Sequence, residues 1–271
     1  MPTAILEIVI LGSGTSTGIP VVGCRCDICR SEDPRNQRTR CSALIRYAGH
    51  HLLIDTSTDL RQQALREDIR HVDAVFYTHC HADHVHGIDD LRGFNAPGEK
   101  PIPLYAAPDT LTSLRTNFNY IFDQNQPRGY VPKLSLHPVE EPVRLFGLKI
   151  IPIPLFHGPQ MTTGYRCGPV AYLTDCNGIP DDSLALLKDL KLLVLDGLRF
   201  RPHPTHFNIP EAVAIAQSIG AEQTLLTHLS HEVEHLCHDA DLPDGINLAY
   251  DGQRFSFEVQ LECTGEVCHE N

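Results

Sequence analysis

Residues 79–84 read His-Cys-His-Ala-Asp-His and form a dense set of possible metal ligands. Imidazole nitrogens and carboxylate oxygens together suit zinc, manganese or iron. The apolar run before them, residues 73–78, predicts a buried strand, so the first two histidines, two positions apart at its end, would project to the same side. Asp83 and His84 follow on a turn. This division favours two adjacent metals, which activate water against an ester or a phosphodiester, over a solvated histidine-rich loop.

A metal pair needs further ligands, and isolated histidines or aspartates do stand at the ends of later apolar runs. His157, Asp175 and His228 each come directly after such a run. Taken singly, each could be a capping residue or a hydrogen-bonded loop residue. Together with the first cluster they form a set.

The elements that must position these residues alternate along the chain. Runs rich in β-branched and aliphatic residues predict strands at residues 6–11, 42–47, 51–54, 74–78, 148–154, 170–174, 192–195 and 224–226. Apolar residues at helical spacing predict helices at residues 58–67, 182–190 and 210–219. The last helix has a capping-box start, with Asn208 as N-cap and Glu211 three residues on, and it ends at Gly220. The alternation predicts a layered α/β domain, although periodicity leaves the strand order open.

The composition limits the classes of protein to consider. With 271 residues and 42% hydrophobic content the chain can bury a large core, and we expect one domain over residues 1–271. A net charge of −12 disfavours nucleic acid as the main partner, because such binding depends on Lys and Arg neutralising phosphates. Residues 1–11 predict a first strand rather than a signal peptide, and no apolar run approaches a membrane span. The ten cysteines are expected to be thiols and metal ligands in a reducing cytoplasm.

The order of the candidate ligands matches a known pattern. The cluster His-x-His-x-Asp-His, then a lone histidine, a lone aspartate and a final histidine resemble the metallo-β-lactamase superfamily of hydrolases over nearly the whole chain. The resemblance implies a four-layer αββα sandwich with the metals at one edge of its two sheets. It implies one metal held by His79, His81 and His157, a second by Asp83, His84 and His228, and a bridge at Asp175. Asp55 matches an early aspartate of the superfamily and would fix a ligand imidazole by hydrogen bonding.

A second cluster, Cys24, Cys26 and Cys29, offers three thiolates in one tight loop near the N-terminus and favours structural zinc. Three unpaired thiols are disfavoured because exposed cysteines are open to oxidation. Closed zinc sites are four-coordinate, so a fourth ligand must come from elsewhere. The candidates are Cys41, His231, His235, Cys237, Cys263 and Cys268. The glycine-rich residues 12–18 fit neither the dinucleotide nor the P-loop spacing and are interpreted as a tight turn leading to the site.

The two clusters together narrow the resemblance to one branch, which includes the phosphoribosyl cyclic phosphodiesterases of the bacterial carbon-phosphorus lyase pathway. The shared motifs are Gly-Ser-Gly-Thr-Ser, Cys-x-Cys-x-x-Cys, the histidine cluster, a Leu-Arg stretch ending in Pro-His-Pro-Thr-His at residues 198–206, and Thr-His-Leu-Ser-His at residues 227–231. This match implies His231 as the fourth zinc ligand, so that one loop would serve both metal sites through His228 and His231. It also suggests a homodimer.

The branch implies a phosphodiesterase for small diesters, cyclic ones among them, with two catalytic divalent metals, manganese or zinc, beside the structural zinc. His206 matches a histidine that assists catalysis there and is our candidate proton donor to the departing alkoxide, with a helix-entry role as the alternative. Asp83 is an alternative group for orienting the attacking water. His203, Arg199 and Arg201 are further candidates for phosphate contact, against plain surface roles. Ribose cyclic phosphates, 2',3'-cyclic nucleotides and other compact diesters make the same demands on the metals.

Three other functions share part of the pattern. The tRNA 3'-processing endonucleases have the metal ligands, but they add a basic arm and lack the cysteine cluster. The coenzyme-biosynthesis protein associated with pyrroloquinoline quinone has a similar cysteine motif and would act as an oxygenase, yet it departs from the complete ligand set. A non-catalytic metal-binding protein would have an empty second metal position or a site closed to water. Residues 95–142, rich in proline and asparagine, are interpreted either as a lid or as a connection that packs its aromatic residues into the core.

Overall fold

The structure, a computed structural model, describes residues 3–95, 100–123 and 131–260. Two seven-stranded sheets dominate it. The first contains β1 (Thr3–Gly12), β2 (Ser42–Tyr47), β3 (His50–Ile54), β4 (Ala74–Phe76), β5 (Ile102–Ala106), β6 (Leu134–Pro138) and β14 (Arg254–Gln260). The second contains β7 (Val143–Leu145), β8 (Leu148–His157), β9 (Gln160–Cys167), β10 (Val170–Leu173), β11 (Leu192–Asp196), β12 (Gln223–Thr227) and β13 (Ile246–Leu248). The helices are α1 (Leu60–Arg66), α2 (Ala82–Val85), α3 (Pro108–Asn117), α4 (Asn119–Phe122), α5 (Asp181–Leu184), α6 (Ile209–Ile219) and α7 (His235–Ala240), with 3₁₀ turns at Pro34–Asn36, His86–Phe94 and Ala185–Leu187.

Both sheets follow the same plan of strand directions. In the order β14-β1-β2-β3-β4-β5-β6, the first three neighbouring pairs are antiparallel and the last three are parallel. The order β7-β8-β9-β10-β11-β12-β13 repeats this plan. Loops that follow parallel strands of open α/β sheets are common places for ligand sites. Each sheet therefore has a parallel half that can supply site residues.

Apolar side chains form three clusters. The central cluster lies between the sheets and takes residues from both, such as Ile45 and Val194. A second cluster packs the outer face of the second sheet against α6 and includes Leu195 and Ala212. A third packs the first sheet against α1 and α3. The layers are thus helix, sheet, sheet and helix, and the αββα sandwich implied by the resemblance is confirmed.

Helix α6 begins and ends as predicted. The side chain of Asn208 accepts from the Glu211 amide (2.9 Å), the Glu211 carboxylate accepts from the Asn208 amide (3.1 Å), and Gly220 ends the helix with a φ of 70°. The helix predicted at residues 182–190 is wrong in extent. Only α5 and one 3₁₀ turn form there, because Lys188 is extended and Asp189 takes a left-handed φ of 55°.

All eight predicted strands are present, β2 with the predicted ends and the other seven with changed ends. Strand β4 ends at Phe76 because the Thr78 amide donates to the Asp55 carboxylate (2.8 Å). Strand β8 continues beyond the predicted residue 154, although Pro152 and Pro154 argue against a strand. From Ile151 to Leu155 it pairs with β9 alone, and an edge without a partner strand tolerates proline.

The described part of residues 95–142 builds the first sheet and its helices. It contains β5, α3, α4 and β6, and Phe118 and Phe122 pack against the outer cluster of that sheet. The described part is therefore a structured connection rather than a lid. Residues 96–99 and 124–130 lie outside the described residues. No helix of the described chain is long and apolar enough to cross a membrane.

The glycine-rich stretch brings chain segments together instead of making only a turn. Gly14 pairs with Arg40 on one side and with Leu229 on the other. A Cβ atom on Gly12 would lie 2.0 Å from the Arg40 carbonyl oxygen, and one on Gly14 would lie 2.8 Å from the Arg38 carbonyl oxygen. The glycines are thus required for close packing of three backbone segments, which extends the interpretation made from the sequence.

Candidate metal centre

The predicted metal ligands come together at one edge of the sandwich. His79 follows β4, His81 caps α2, Asp83 and His84 lie in α2, His157 ends β8, Asp175 follows β10 and His228 follows β12. The first sheet thus supplies the residues of the dense cluster, and the second sheet supplies the three isolated ones.

These residues form two groups that share Asp175. In each group one ligand atom per residue lies within 4.8 Å of the others, and the groups are His79, His81, His157 and Asp175, and Asp83, His84, Asp175 and His228. Asp175 Oδ1 lies 3.8 Å from His79 Nε2 and 3.4 Å from His228 Nε2. Its other oxygen lies 3.1 Å from His84 Nε2. His81 is exposed and the other members are buried, so the first group opens to solvent.

Unpartnered nitrogens show that these groups fit metal ions. The Nε2 atoms of His79, His84 and His228 are buried and have no hydrogen-bond partner among the described residues. A buried polar atom without a partner is costly, whereas a nitrogen lone pair aimed at a cation is satisfied. The donor set of imidazoles and carboxylates suits divalent metals.

Hydrogen bonds orient three of the ligand imidazoles through their other nitrogen. His84 Nδ1 donates to Asp55 Oδ2 (2.7 Å), which is the bond predicted for Asp55. His157 Nδ1 donates to the Thr205 carbonyl (2.8 Å), and His79 Nδ1 to the Thr78 hydroxyl (2.9 Å). With the proton on Nδ1, each Nε2 presents its lone pair to the site.

The electrostatics of the centre favour a bound cation. Burial alone would lower the pKa of His84, but the carboxylates of Asp175, Asp55 and Asp83 outweigh it and hold that pKa well above its ordinary value. Burial and the neighbouring His84 keep the pKa of His79 well below its ordinary value, so this imidazole stays neutral, as a ligand must be. The surplus of carboxylates attracts positive charge, from protons or from metal.

Three residues at the centre have a left-handed backbone that side chains other than glycine rarely adopt. Asp55, Asp175 and His228 have φ values of 62°, 54° and 60°. Such conformations persist only where the surroundings impose them, and they gather at functional sites.

His206 lies beside the second group, paired with an aspartate. Its Nδ1 donates to Asp196 Oδ2 (2.7 Å), which also accepts from the Cys176 amide (2.8 Å). Asp196, His206 and His228 have ligand atoms within 4.8 Å of one another, but the rings of His206 and His228 stack at 4.6 Å with planes 12° apart. Stacked parallel rings do not aim their lone pairs at one ion, so we interpret this group as a carboxylate–imidazole pair next to the metals.

The cysteine cluster has the dimensions of a closed zinc site. His231 Nδ1 lies 3.4, 3.5 and 3.6 Å from the sulfurs of Cys24, Cys26 and Cys29. Tetrahedral zinc with bonds of about 2.3 Å to sulfur and about 2.0 Å to nitrogen requires separations of about 3.5 Å. The Cys29 amide donates to Cys26 Sγ (3.4 Å), and this bond is the largest of the effects that lower the pKa of Cys26 to about 6.

Among the candidates for the fourth ligand, the structure brings only His231 to the thiols within the described residues. Cys41 is buried against Thr227, His235 packs on Tyr250 and Cys237 is exposed. Cys263 and Cys268 lie outside the described residues.

The family model of the β-lactamase superfamily domain matches residues 50–229, which is more than half of the chain. The chain belongs to the β-lactamase superfamily. The fold of this superfamily implies divalent metals, and it supports a metal-dependent hydrolase as the activity.

Relatives within the superfamily cover most of the chain. A crystal structure of a diphosphatase from the PhnP family is 44% identical, with a TM-score of 0.90 over 95% of this chain and 99% of that one. An octanoyltransferase of Porphyromonas gingivalis is 42% identical over 252 residues, 91% of this chain and 51% of that protein. The chain therefore spans about half the length of that relative. Coenzyme PQQ synthesis protein B of Methylobacterium radiotolerans is 34% identical over 71% of this chain and 73% of that protein.

Some residues of this superfamily site were not singled out from the sequence. Asp196 stands at the end of the buried strand β11, the same signal that identified Asp175 and His228. The Thr205 carbonyl carried no sequence signal because any residue provides one. Two of the residues proposed for phosphate contact are paired with a carboxylate of the chain. Arg201 forms an ion pair with Glu232 (2.7 Å), and Arg199 lies 3.4 Å from the same carboxylate.

Proposed function

We propose that the protein hydrolyses P–O bonds of small phosphodiesters, cyclic ones included, at a two-metal centre. The observation that carries the proposal is a pair of ligand groups joined by Asp175, with a histidine–aspartate pair directly beside them. Two metals held by these adjacent groups would stabilise both the attacking and the leaving oxygen of an in-line displacement. The PhnP-family relative is a diphosphatase. Cleavage of a P–O–P anhydride also begins with attack of water on phosphorus, so compact diphosphates are further candidate substrates.

Each predicted metal ligand has a defined task in this mechanism. His79, His81 and His157 would hold one ion, Asp83, His84 and His228 the other, and Asp175 both. When bound, the two metals would make a water nucleophilic near neutral pH and neutralise charge on the phosphoryl group. The exposed face at His81 admits substrate to the otherwise buried centre.

His206 would give a proton to the departing oxygen. Asp196 holds its Nδ1, which leaves Nε2 as the nitrogen that can deliver a proton. The carboxylate also fixes the tautomer and the orientation of the imidazole, as in other histidine–aspartate pairs. Asp83, at the same centre, is a candidate for orienting the attacking water.

The cysteine site would hold a structural zinc, and the catalytic pair would hold manganese or zinc. We further propose a small-molecule substrate rather than nucleic acid, since the net charge is −12. Elemental analysis of the purified protein identifies the metals and their number per chain.

The test is hydrolysis of bis(p-nitrophenyl) phosphate by protein supplied with manganese or zinc. Because His79 belongs to the buried ligand set, His79→Ala is expected to abolish turnover while the circular dichroism spectrum stays that of the folded protein. His71→Ala, at an exposed histidine away from the ligand groups, is the matched control and should keep wild-type rates. Full activity of His79→Ala would contradict the proposal. A panel of cyclic phosphates, 2',3'-cyclic nucleotides and diphosphates then ranks the substrates.

A further inference from the structure

Arg38 is an unusual buried cation, with 1% of its surface exposed. Its guanidinium donates to the carbonyls of Val233 (2.9 Å), Arg35 (3.1 Å) and Ser230 (3.2 Å), and to the side-chain oxygen of Asn36 (3.2 Å). Every one of these acceptors is neutral. Burying a charge without a carboxylate partner is costly. The position of a charged side chain among these neutral acceptors therefore needs a physical reason.

These acceptors include the loop that joins the two metal sites. Only Leu229 and Ser230 separate His228, in the catalytic centre, from His231, in the cysteine site. The Leu229 amide donates to the Ser13 carbonyl (2.9 Å), and its carbonyl accepts from the Thr15 amide (3.0 Å).

Ser230 is held in the same way on both sides. Its amide donates to the Leu198 carbonyl (2.9 Å), and its carbonyl accepts from Arg38. Of the six bonds on these two residues, four join backbone groups, including one from the Val233 amide to the Ser230 carbonyl (3.2 Å). The fifth runs from the Glu232 amide to the Ser230 hydroxyl, and the sixth comes from the Arg38 guanidinium. Among the described residues, Arg38 is thus the side chain outside this loop whose bond to it a substitution can remove directly.

The loop must hold His228 in a strained conformation. The φ of His228 is 60°, and its Nδ1 has no partner among the described residues, unlike Nδ1 of His84 or His157. A left-handed backbone at a residue other than glycine is kept only by its surroundings. The aim of the His228 imidazole therefore depends on the bonds that fix the following backbone.

We propose that Arg38 is a positioning residue for the catalytic centre: its bonds to Ser230 and Val233 hold the loop so that His228 Nε2 stays aimed at the second metal. The inference rests on the proposed role of His228 as a ligand. It assigns this task to a side chain outside both metal sites, in addition to any effect of zinc on His231.

A second set of contacts makes Arg38 independent of the thiols. Asn36, which accepts from Arg38, also accepts from the His235 amide (2.9 Å) and donates to Glu234 (2.9 Å). Residues 234 and 235, which follow the loop, are thus bonded to the same Arg38–Asn36 pair, and no cysteine ligand takes part.

The experiment measures metals per chain by elemental analysis after equilibration in a series of buffered free zinc concentrations. Arg38→Met is expected to lose one metal equivalent at a free zinc concentration about 10- to 100-fold higher than wild type, the range for residues that orient a ligand. The other equivalents should keep their wild-type concentrations. Arg35→Met, at the neighbouring half-exposed arginine paired with Asp33, is the matched control and should bind as wild type.

Parallel variants separate the possible failures. His228→Ala should lose the same equivalent outright, and retention of all metal by His228→Ala would overturn the ligand assignment on which the inference rests. Loss by His228→Ala together with wild-type binding by Arg38→Met would overturn the role of Arg38 alone. If Arg38→Met does not fold, Arg38→Gln, which keeps an amide donor, makes the same comparison: selective loss of one equivalent supports the role, and wild-type binding overturns it.

Discussion

The histidines of the metal centre differ in what holds their second ring nitrogen. His84 bonds to a buried carboxylate, His157 to a backbone carbonyl and His79 to a hydroxyl that itself donates to Asp55. A carboxylate partner raises the basicity of an imidazole more than a neutral oxygen does. His84 is therefore expected to be the strongest nitrogen ligand, whereas His228 depends on its backbone.

At the residue scale, Asp196→Asn tests the proton donor. Asparagine keeps the size of the side chain but removes the carboxylate that fixes the tautomer and orientation of His206, so kcat for bis(p-nitrophenyl) phosphate should fall about 10²- to 10⁴-fold. Metal content should stay unchanged, because Asp196 is outside both ligand groups.

The matched control is Asp181→Asn, at an exposed aspartate of α5. A further check is the double variant of His206→Asn with Asp196→Asn, whose kcat should be no lower than that of His206→Asn alone, since the two residues act as one unit. A wild-type kcat in Asp196→Asn would show that His206 works without its carboxylate.

At the element scale, burial explains in part which strands the sequence reveals, since the mostly buried β9 was not predicted either. Strands β2 and β11 are buried along almost their whole length and stand out as apolar runs. Strand β6 is half-buried up to its exposed last residue, Pro138, and was not predicted. Strand β14 was not predicted either, although it alternates exposed and half-buried residues, with Phe255 and Phe257 on one face. This alternation is the period-two pattern of a strand with one buried face.

The same distinction applies to the site. Ligands such as Asp175 were predictable because a polar residue that ends a buried run must face a loop at the sheet edge. Contacts made by the backbone, such as the Thr205 carbonyl on His157, were not, because they depend on the folded path of the chain and on no particular side chain.

Close packing at the end of β1 gives a prediction at this scale. In Gly12→Ala the new methyl group would meet the Arg40 carbonyl at 2.0 Å, so the backbone must move. We expect the free energy of unfolding to fall by about 1–3 kcal/mol, as for other overpacked positions. Urea denaturation at a fixed metal concentration measures it.

Gly93→Ala is the control for that experiment. A Cβ atom there would have no described atom within 4 Å, and the expected change is within about 0.5 kcal/mol. Equal stabilities of the two variants would mean that the segment around Gly12 adapts without cost.

At the scale of the whole molecule, the two metal sites should differ in what their loss does. Cys26→Ala is expected to lose one zinc and to lower Tm by several degrees, since about 1 kcal/mol corresponds to about 2–4 °C in domains near this size. His84→Ala should lose activity with the fold retained. Elemental analysis and thermal unfolding report the two effects, and a Cys26→Ala protein with its full metal content would contradict the structural-zinc assignment.

Because both sheets supply ligands, metal binding would have a second consequence. In the proposed ligand sets, each ion takes ligands from loops of both sheets: His79 and His81 with His157, and Asp83 and His84 with His228. Each ion would then be a cross-link between the two sheets. A chain without its metals would lack both cross-links, so its sheets would separate more often and expose apolar strands to proteases. Metal supply in the cell would thereby govern the lifetime of the protein as well as its rate of turnover.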